Sequence, residues 1–381
     1  MKPLRVVHLT SAHKPDDIRI LEKECASLAR RGYDVFFVAP ATQAKQERGV
    51  TIVPVKRSRG RLGRMLLTGA RVMRAAMALK PDVCHIHDPE LLVWVPLMRA
   101  AGKQVVYDMH ENTPRSIMAK PWIPVWARKC AAWMFRIVER VFARGAWVIF
   151  AEDSYAKDYP WVRGGEVVLN MPIAEQLLAI AQPQKPEPTV AYLGAVSGDR
   201  GAFATIEALH ILDQRNVRAK WLCIGPADGS DEAEMGRMIR LYSLEGRVEM
   251  HGYVGPREAW KMIAGCCCGL AVLMPRANYR ESYPTKMFEY MALGIPVVVS
   301  DFPLYRAVVE GADCGVCVDP ESPQEIANAI QRLIGDPGAR ARMGENGRQA
   351  VRERYNWDAQ AGKLIGIYRR LEANVWDHRA C

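Results

Sequence analysis

Short runs of β-branched and other apolar residues alternate with amphipathic stretches along nearly all of this 381-residue chain. The first half predicts strands at Arg5–Leu9, Asp34–Ala39, Thr51–Val55, Val83–His87, Gln104–Tyr107, Trp147–Phe150 and Val167–Leu169. Amphipathic stretches such as Ile18–Arg30, ending at Gly32, and Leu62–Leu79 lie between them. The second half repeats the scheme with Thr189–Leu193, Lys220–Ile224, Val248–His251, Gly269–Leu273, Pro296–Ser300 and Gly315–Val318. Strands that are apolar throughout and separated by helices belong to parallel sheets covered on both faces. Two such sets in succession predict two doubly wound α/β domains.

The length agrees, because single cores stop growing at about 250–300 residues. Pro183, Pro186 and Pro188 read as an extended linker. The predicted domains are therefore residues 1–175 and 185–357. With 49% hydrophobic and 25% charged residues, disordered and collagen-like chains are excluded. Ten cysteines in this length are too dilute for a disulfide scaffold, and Cys266, Cys267 and Cys268 inside an apolar run suit reduced, buried thiols. No signal peptide or membrane-spanning stretch is read, which predicts a cytoplasmic protein.

Charge divides unequally. Residues 1–175 carry 28 basic and 17 acidic side chains, whereas residues 176–381 carry 24 and 25. The whole excess of +10 therefore belongs to the first half.

In an open α/β sheet, ligands bind beyond the carboxyl ends of the strands, and with two sheets the natural site is the cleft between the domains. The most informative segment is Glu281-Ser282-Tyr283-Pro284-Thr285-Lys286-Met287-Phe288-Glu289. Pro284 suits a first helical turn and Gly294 the position just past a helix end, so a helix of about Pro284–Leu293 is predicted. Its N-terminus is an anion site. Lys286 adds a full charge, and Glu289 can accept from hydroxyls. That describes a nucleotide held by its phosphates and ribose. Spacing alone fits a surface helix with scattered charges equally well.

Two glutamates eight positions apart, followed by EYMALGIPVVVSD, resemble the signature of the retaining, nucleotide-sugar-dependent glycosyltransferases of family 4, which have the GT-B fold. The resemblance extends through the opening VVHLTSAHKPDDIRILEKECASLARRGYDVFFVAP and through HIHDPELL, YDMHENTP, VVLNMP, YLGAVSGDRG and RYNW. It implies that Glu289 holds the donor ribose and that Glu281 contacts hydroxyls of the transferred sugar. Arg200 and Lys286 would grip the diphosphate, as two cations must where charge builds on a leaving group. His110 would sit by the donor sugar, orienting it and stabilising charge at the reacting carbon. The resemblance also implies metal-independent chemistry without cofactors, and a last helix of about 358–381 that crosses back onto the first domain. Three departures stand out: Tyr283-Pro284 for Phe-Gly, Ala195 where many members have Arg, and SAHKPDD in place of a Gly-Gly loop. The last removes the glycines through which acceptor or phosphate contacts would be carried over.

His85, His87 and Asp88 form an H-x-H-D group with both imidazoles on one strand face. Two His and a carboxylate can be a metal site, but no further ligand is evident, so His87 and Asp88 are expected to line the cleft. The loop Ser11–Arg19 follows the first strand, and Asp16 or Asp17 there is a candidate to orient or deprotonate an acceptor hydroxyl. Asp17 is equally placed to cap the following helix. Cys314-Gly-Val-Cys317, without a second pair, reads as two strand cysteines.

Lys56–Arg74 holds seven basic residues and no acid, interleaved with Met65, Leu66, Leu67, Val72 and Met73. Residues 115–147 add Arg115, Lys120, Arg128, Lys129, Arg136, Arg140 and Arg144 among Trp122, Trp126, Trp133, Phe135 and Trp147. This is the pattern of a protein peripheral on the cytoplasmic face of an anionic membrane. In 115–147, core aromatics under a solvated cationic face fit as well. No nucleic-acid recognition motif accompanies the charge. The expected function is retaining sugar transfer from a nucleoside diphosphate sugar to a hydroxyl of a glycan or lipid-linked acceptor. The alternatives are another GT-B enzyme, such as a nucleotide-sugar epimerase, and a non-catalytic nucleotide-sugar-binding protein. A dinucleotide oxidoreductase lacks its fingerprint, because Gly194, Gly198 and Gly201 are spaced G-x3-G-x2-G.

Overall fold

The computed structural model describes residues 3–120, 123–162, 164–183 and 185–380, with side chains placed at all of these except 61, 119 and 376–380. Trp122 and the side chain of Arg61, both counted in the basic segments, lie outside the described residues. The chain forms two compact units, residues 1–170 with 357–381, and residues 171–356.

The first unit contains β1 (Arg5–Leu9), β2 (Asp34–Pro40), β3 (Lys45–Glu47), β4 (Val50–Val55), β5 (Val83–Ile86), β6 (Gln104–Met109), β7 (Trp147–Phe150) and β8 (Glu166–Val167). Their order in the sheet is β3-β4-β2-β1-β5-β6-β7-β8. Every pairing is parallel except that of β3 with β4. The antiparallel β3 is absent from the sequence reading because Lys45-Gln46-Glu47 has neither apolar alternation nor β-branching. It is an edge strand, and polarity suits an edge.

The second unit contains β9 (Thr189–Leu193), β10 (Lys220–Ile224), β11 (Val248–Met250), β12 (Cys268–Ala271), β13 (Val297–Ser300) and β14 (Gly315–Val318). The all-parallel order is β11-β10-β9-β12-β13-β14. This is the doubly wound order, and a ligand belongs at the point where the winding reverses. That point lies between β1 and β5 in the first unit and between β9 and β12 in the second.

Each sheet is sealed by apolar side chains. Val7, Leu9, Ile86, Met98 and Val105 belong to the first core, and Trp221, fully buried, anchors the second with Ile206, Leu270 and Ile330. The last helix, Trp357–Ala380, belongs to the first unit. Trp357 Nε1 donates to Ser27 Oγ at 2.9 Å, and the buried Tyr368 reaches His85. All nine described cysteines are free thiols, Cys266 and Cys268 among the buried ones.

Candidate functional site

In the second unit, β9 ends at Leu193 and the chain turns at Gly194, whose φ of 101° disfavours a side chain. A short 3₁₀ turn at Gly198–Arg200 leads through Gly201, at φ 82°, into the helix Ala202–Gln214. The backbone carbonyl of Val272 lies where a Cβ of residue 201 would be, so only glycine fits. Beside this turn begins the helix Thr285–Ala292. Pro284, predicted as the first helical residue, is instead its N-cap with ψ at 113°, so the helix begins one position later than predicted. Gly294, at φ 71°, follows the helix end as predicted.

This helix buries Met287, Phe288, Tyr290 and Met291. Tyr290 Oη accepts the Leu193 N–H at 2.8 Å, tying the helix to the end of β9. The same face carries Lys286, only 6% exposed. Its Nζ sits 3.5 Å from the centre of the Tyr192 ring and has no hydrogen-bond partner among the described residues. Burial, then the charge of Arg200, push its pKa well below the ordinary lysine value. The half-buried Arg200 lies over the Tyr279 ring at 5.7 Å. Two cationic side chains thus stand near one turn, and among the described residues no counter-charge is hydrogen-bonded to Lys286. Glu289 is half-buried one turn along the helix, and its charge opposes the lowering of Lys286. Glu281 is exposed, just before the helix.

In the first unit, the strand ends at the switch point carry a buried polar cluster. Asp108, at the end of β6, receives Arg19 Nε at 3.0 Å and Arg19 Nη2 at 2.8 Å. Arg19 Nη2 also donates to the Val168 carbonyl at 3.1 Å. His110 Nε2 lies 2.7 Å from Asp108 Oδ2. Burial alone would raise the Asp108 carboxyl, but Arg19 and His110 outweigh it and hold it well below the usual carboxylate range. His110 Nε2 also meets His87 Nδ1 at 3.0 Å, and His87 Nε2 meets His8 Nδ1 at 2.9 Å. Burial keeps His87 neutral, at about 4, and pushes His8 and His85 well below their ordinary value.

The loop after β1 is built on Asp88, whose Oδ2 accepts from Thr10 Oγ1 at 2.8 Å and from the Ser11 N–H at 2.6 Å. His87 and Asp88 are 1% and 3% exposed. They act as buried supports and do not line an open surface, because these contacts consume their polar atoms. Asp17 caps the following helix through Ile20 N at 3.0 Å and bonds His13 Nδ1 at 3.0 Å. Burial raises it, but the His13 hydrogen bond and the cap outweigh that and hold it at about 2. So weak a base is fitted to orient His13 rather than to take a proton. Asp16 is exposed.

His85 and His87 do share a face, with rings 4.6 Å apart and 15° from parallel. Asp88 does not join them. Their companions are His8, which pairs with His85 across the switch point, and Glu24. His8 and Glu24 were missed in the sequence because each looks like an interruption of an apolar pattern. The available signal was a strand interior carrying His at positions 8 and 85. The helix Ile18–Cys25 is π-wound, with hydrogen bonds reaching five residues. That winding turns Arg19 and Glu24 to one side, 3.1 Å apart. An α-helix would leave residues five apart about 140° away from each other.

Two doubly wound units, each with its polar cluster at the switch point, define a protein of the GT-B class. Residues 19–159 match the model of the glycosyl transferase 4-like domain, and residues 175–350 that of the glycosyl transferases group 1. The chain is 29% identical over 184 residues to an alpha-D-kanosaminyltransferase of Streptomyces kanamyceticus, covering 48% of this chain and 46% of that one. It is 25% identical over 321 residues to a phosphatidyl-myo-inositol mannosyltransferase of Mycobacterium leprae, covering 83% of this chain and 80% of that one. The chain thus spans less than half of the first relative and most of the second. Among solved structures, HepE of Anabaena in complex with UDP-glucose superposes with a TM-score of 0.72 at 17% identity, over 96% of this chain and 100% of that one. The chain belongs to the GT-B glycosyltransferases of the family-4 type.

Proposed function

We propose that this protein transfers a sugar, with retention of anomeric configuration, from a nucleoside diphosphate sugar to a hydroxyl of a glycan or lipid-linked acceptor. The observation that carries the reading is Lys286: a buried amine with no hydrogen-bond partner among the described residues, under the charge of Arg200. Such an arrangement is costly in the empty chain and becomes favourable when a diphosphate supplies the missing charge.

As the bond from the anomeric carbon to the diphosphate breaks, negative charge grows on the leaving oxygen, and Arg200 and Lys286 stabilise it. Glu289 holds the ribose hydroxyls, Glu281 hydroxyls of the transferred sugar, and His110 orients that sugar. The acceptor hydroxyl attacks on the face the diphosphate leaves and passes its proton to the departing diphosphate oxygen. Arg200 and Lys286 take the part that a metal would otherwise play in this step, so the chemistry runs without one. HepE in complex with UDP-glucose supports the donor class by analogy of fold. The name of the mannosyltransferase relative, at 25% identity, supports a lipid acceptor.

The partner of the basic half is an anionic membrane surface. Trp126 and Trp133 are 86% and 62% exposed on the helix Val125–Phe142. The same helix exposes Val125, Met134, Ile137 and Val141. Of its residues only Ala132 and Glu139 are buried. Leu62, Leu66 and Leu67 are exposed as well, next to an open depression lined by Arg57, Arg59 and Arg64. These aromatic residues are therefore not core, and exposed apolar groups among cations suit a lipid interface. Among the described residues no helix is long and apolar enough to cross a membrane.

The deciding experiment is thermal unfolding with UDP, GDP and ADP sugars in turn, followed by product analysis with the donor that stabilises most. Stabilisation by one nucleotide series is expected. No shift with any of them at millimolar concentration would overturn the reading. Stabilisation without turnover would favour the non-catalytic binding protein.

A further inference from the structure

The mechanism proposed above leaves one part of the first unit unused. His8 on β1, His85 on β5 and Glu24 on the π-wound helix are each fully buried. The ligand atoms of these three and of His87 all lie within 4.8 Å of one another. His8 Nε2, His85 Nε2 and both Glu24 carboxylate oxygens have no hydrogen-bond partner among the described residues. Buried polar atoms normally find one, and here the ligand atoms of the three residues come within 4.8 Å of one another.

The orphans do not satisfy each other. His85 Nε2 and Glu24 Oε2 are 3.7 Å apart, beyond hydrogen-bond length. Arg19 Nε stands 3.1 Å from Glu24 Oε1 but donates to Asp108. The His85 imidazole and the Glu24 carboxyl, slightly too far apart to bond, leave room for an ion between them.

The outer ring nitrogens are arranged to match. His8 Nδ1 bonds His87 Nε2 at 2.9 Å, and His85 Nδ1 bonds Tyr368 Oη at 2.8 Å. A metal-binding imidazole usually donates its second N–H to an oriented acceptor in this way. With the imidazole protons of His110 Nε2 and His87 Nδ1 turned to Asp108, His87 Nε2 accepts from His8 Nδ1–H. His8 Nε2 is then a bare lone pair without a partner among the described residues. His85 Nδ1–H donating to Tyr368 leaves His85 Nε2 in the same state.

We infer that His8 Nε2, His85 Nε2 and the Glu24 carboxylate bind one divalent transition-metal ion, zinc by the chemistry of the donors. Two imidazoles and one carboxylate suit zinc, and water fills the remaining position. The ion is structural. It staples β1, β5 and the helix that carries Arg19, with Tyr368 of the last helix as its outer support. It lies among side chains of the first unit and takes no part in sugar transfer, so the two readings fail independently.

The test uses the full chain, produced with zinc in the medium, desalted and assayed by elemental mass spectrometry, with circular dichroism as the folding control. About one zinc per chain is expected, together with visible absorption bands of tetrahedral cobalt when Co²⁺ replaces it. Glu24→Gln and His8→Gln should lose the metal, and Tyr368→Phe should weaken its binding about tenfold. His251→Gln, at an exposed position, should change nothing. If the first two variants do not fold, Tyr368→Phe and cobalt titration of the unsubstituted chain still decide. A folded chain that takes up no zinc or cobalt overturns the inference. So does metal retained in His8→Gln but lost in His110→Gln, which would place it on His87, Asp108 and His110.

Discussion

Arg19 and Asp108 form a two-pronged ion pair at 2.8 and 3.0 Å in which both side chains are nearly inaccessible to water. The pair joins the first helix to the end of β6, and Asp108 in turn holds His110 at 2.7 Å. Orientation of His110 therefore depends on Arg19, 89 positions before the Asp108 that holds it.

Removing one partner exposes the cost of the other. Arg19→Met should destabilise the chain by about 3–5 kcal/mol, because Asp108 is left buried without its guanidinium partner. The double variant Arg19→Met/Asp108→Leu should recover much of that loss. Urea denaturation of the three chains checks both values, and equal stability of the single and double variants would refute the account.

Lys286 should separate stability from activity. Lys286→Met removes a buried charge, so the donor-free chain should unfold at the same temperature or higher. Stabilisation by the donor nucleotide should vanish, and turnover should fall roughly 10²–10³-fold. A large fall in stability of the donor-free variant would mean that Lys286 has a structural anionic partner instead.

Glu139 should impose a pH dependence. Burial raises its carboxyl to about 7, although hydrogen bonds from Tyr159 at 2.9 Å and Tyr107 at 3.4 Å oppose the shift. The folded state then holds a proton that the unfolded chain releases near its ordinary value of 4.5. The contribution is full below pH 4.5 and is lost as the pH rises to 7, up to about 3 kcal/mol. Glu139→Gln should remove this fall. Denaturant midpoints of the two chains at pH 5 and pH 8 measure it as a difference, which cancels the opposite effect of the buried histidines.

Membrane docking should depend on the exposed aromatics and on charge together. Trp126→Ala/Trp133→Ala should reduce sedimentation with anionic vesicles without lowering the unfolding temperature, since both side chains are exposed. Binding should weaken with salt and be slight on zwitterionic vesicles, with each basic residue worth about 1 kcal/mol. Equal binding to both vesicle types would discard the anionic surface as partner.

Much was legible from the chain alone because it rests on local rules. The apolar runs mark the strands of both sheets, except the polar edge strand Lys45–Glu47. Gly294 marks a helix end and Asp17 a cap, through chemistry confined to a few neighbours. The resemblance around Glu281–Glu289 pointed to the family. Whether Trp126 and Trp133 face core or solvent was undecided, because a helix of mixed pattern does not say what covers it.

The class of fold follows from the chain alone, since strand–helix alternation with fully apolar strands marks covered parallel sheets. Which polar residues meet depends on how strands and helices pack. His8, Glu24 and Arg19 look like scattered exceptions along the chain. Pairing β1 with β5 and winding Ile18–Cys25 as a π-helix bring them to one buried point with His85 and Asp108. Burial then sets their chemistry, because a charge or lone pair that water would satisfy anywhere on the chain must find a specific partner inside it.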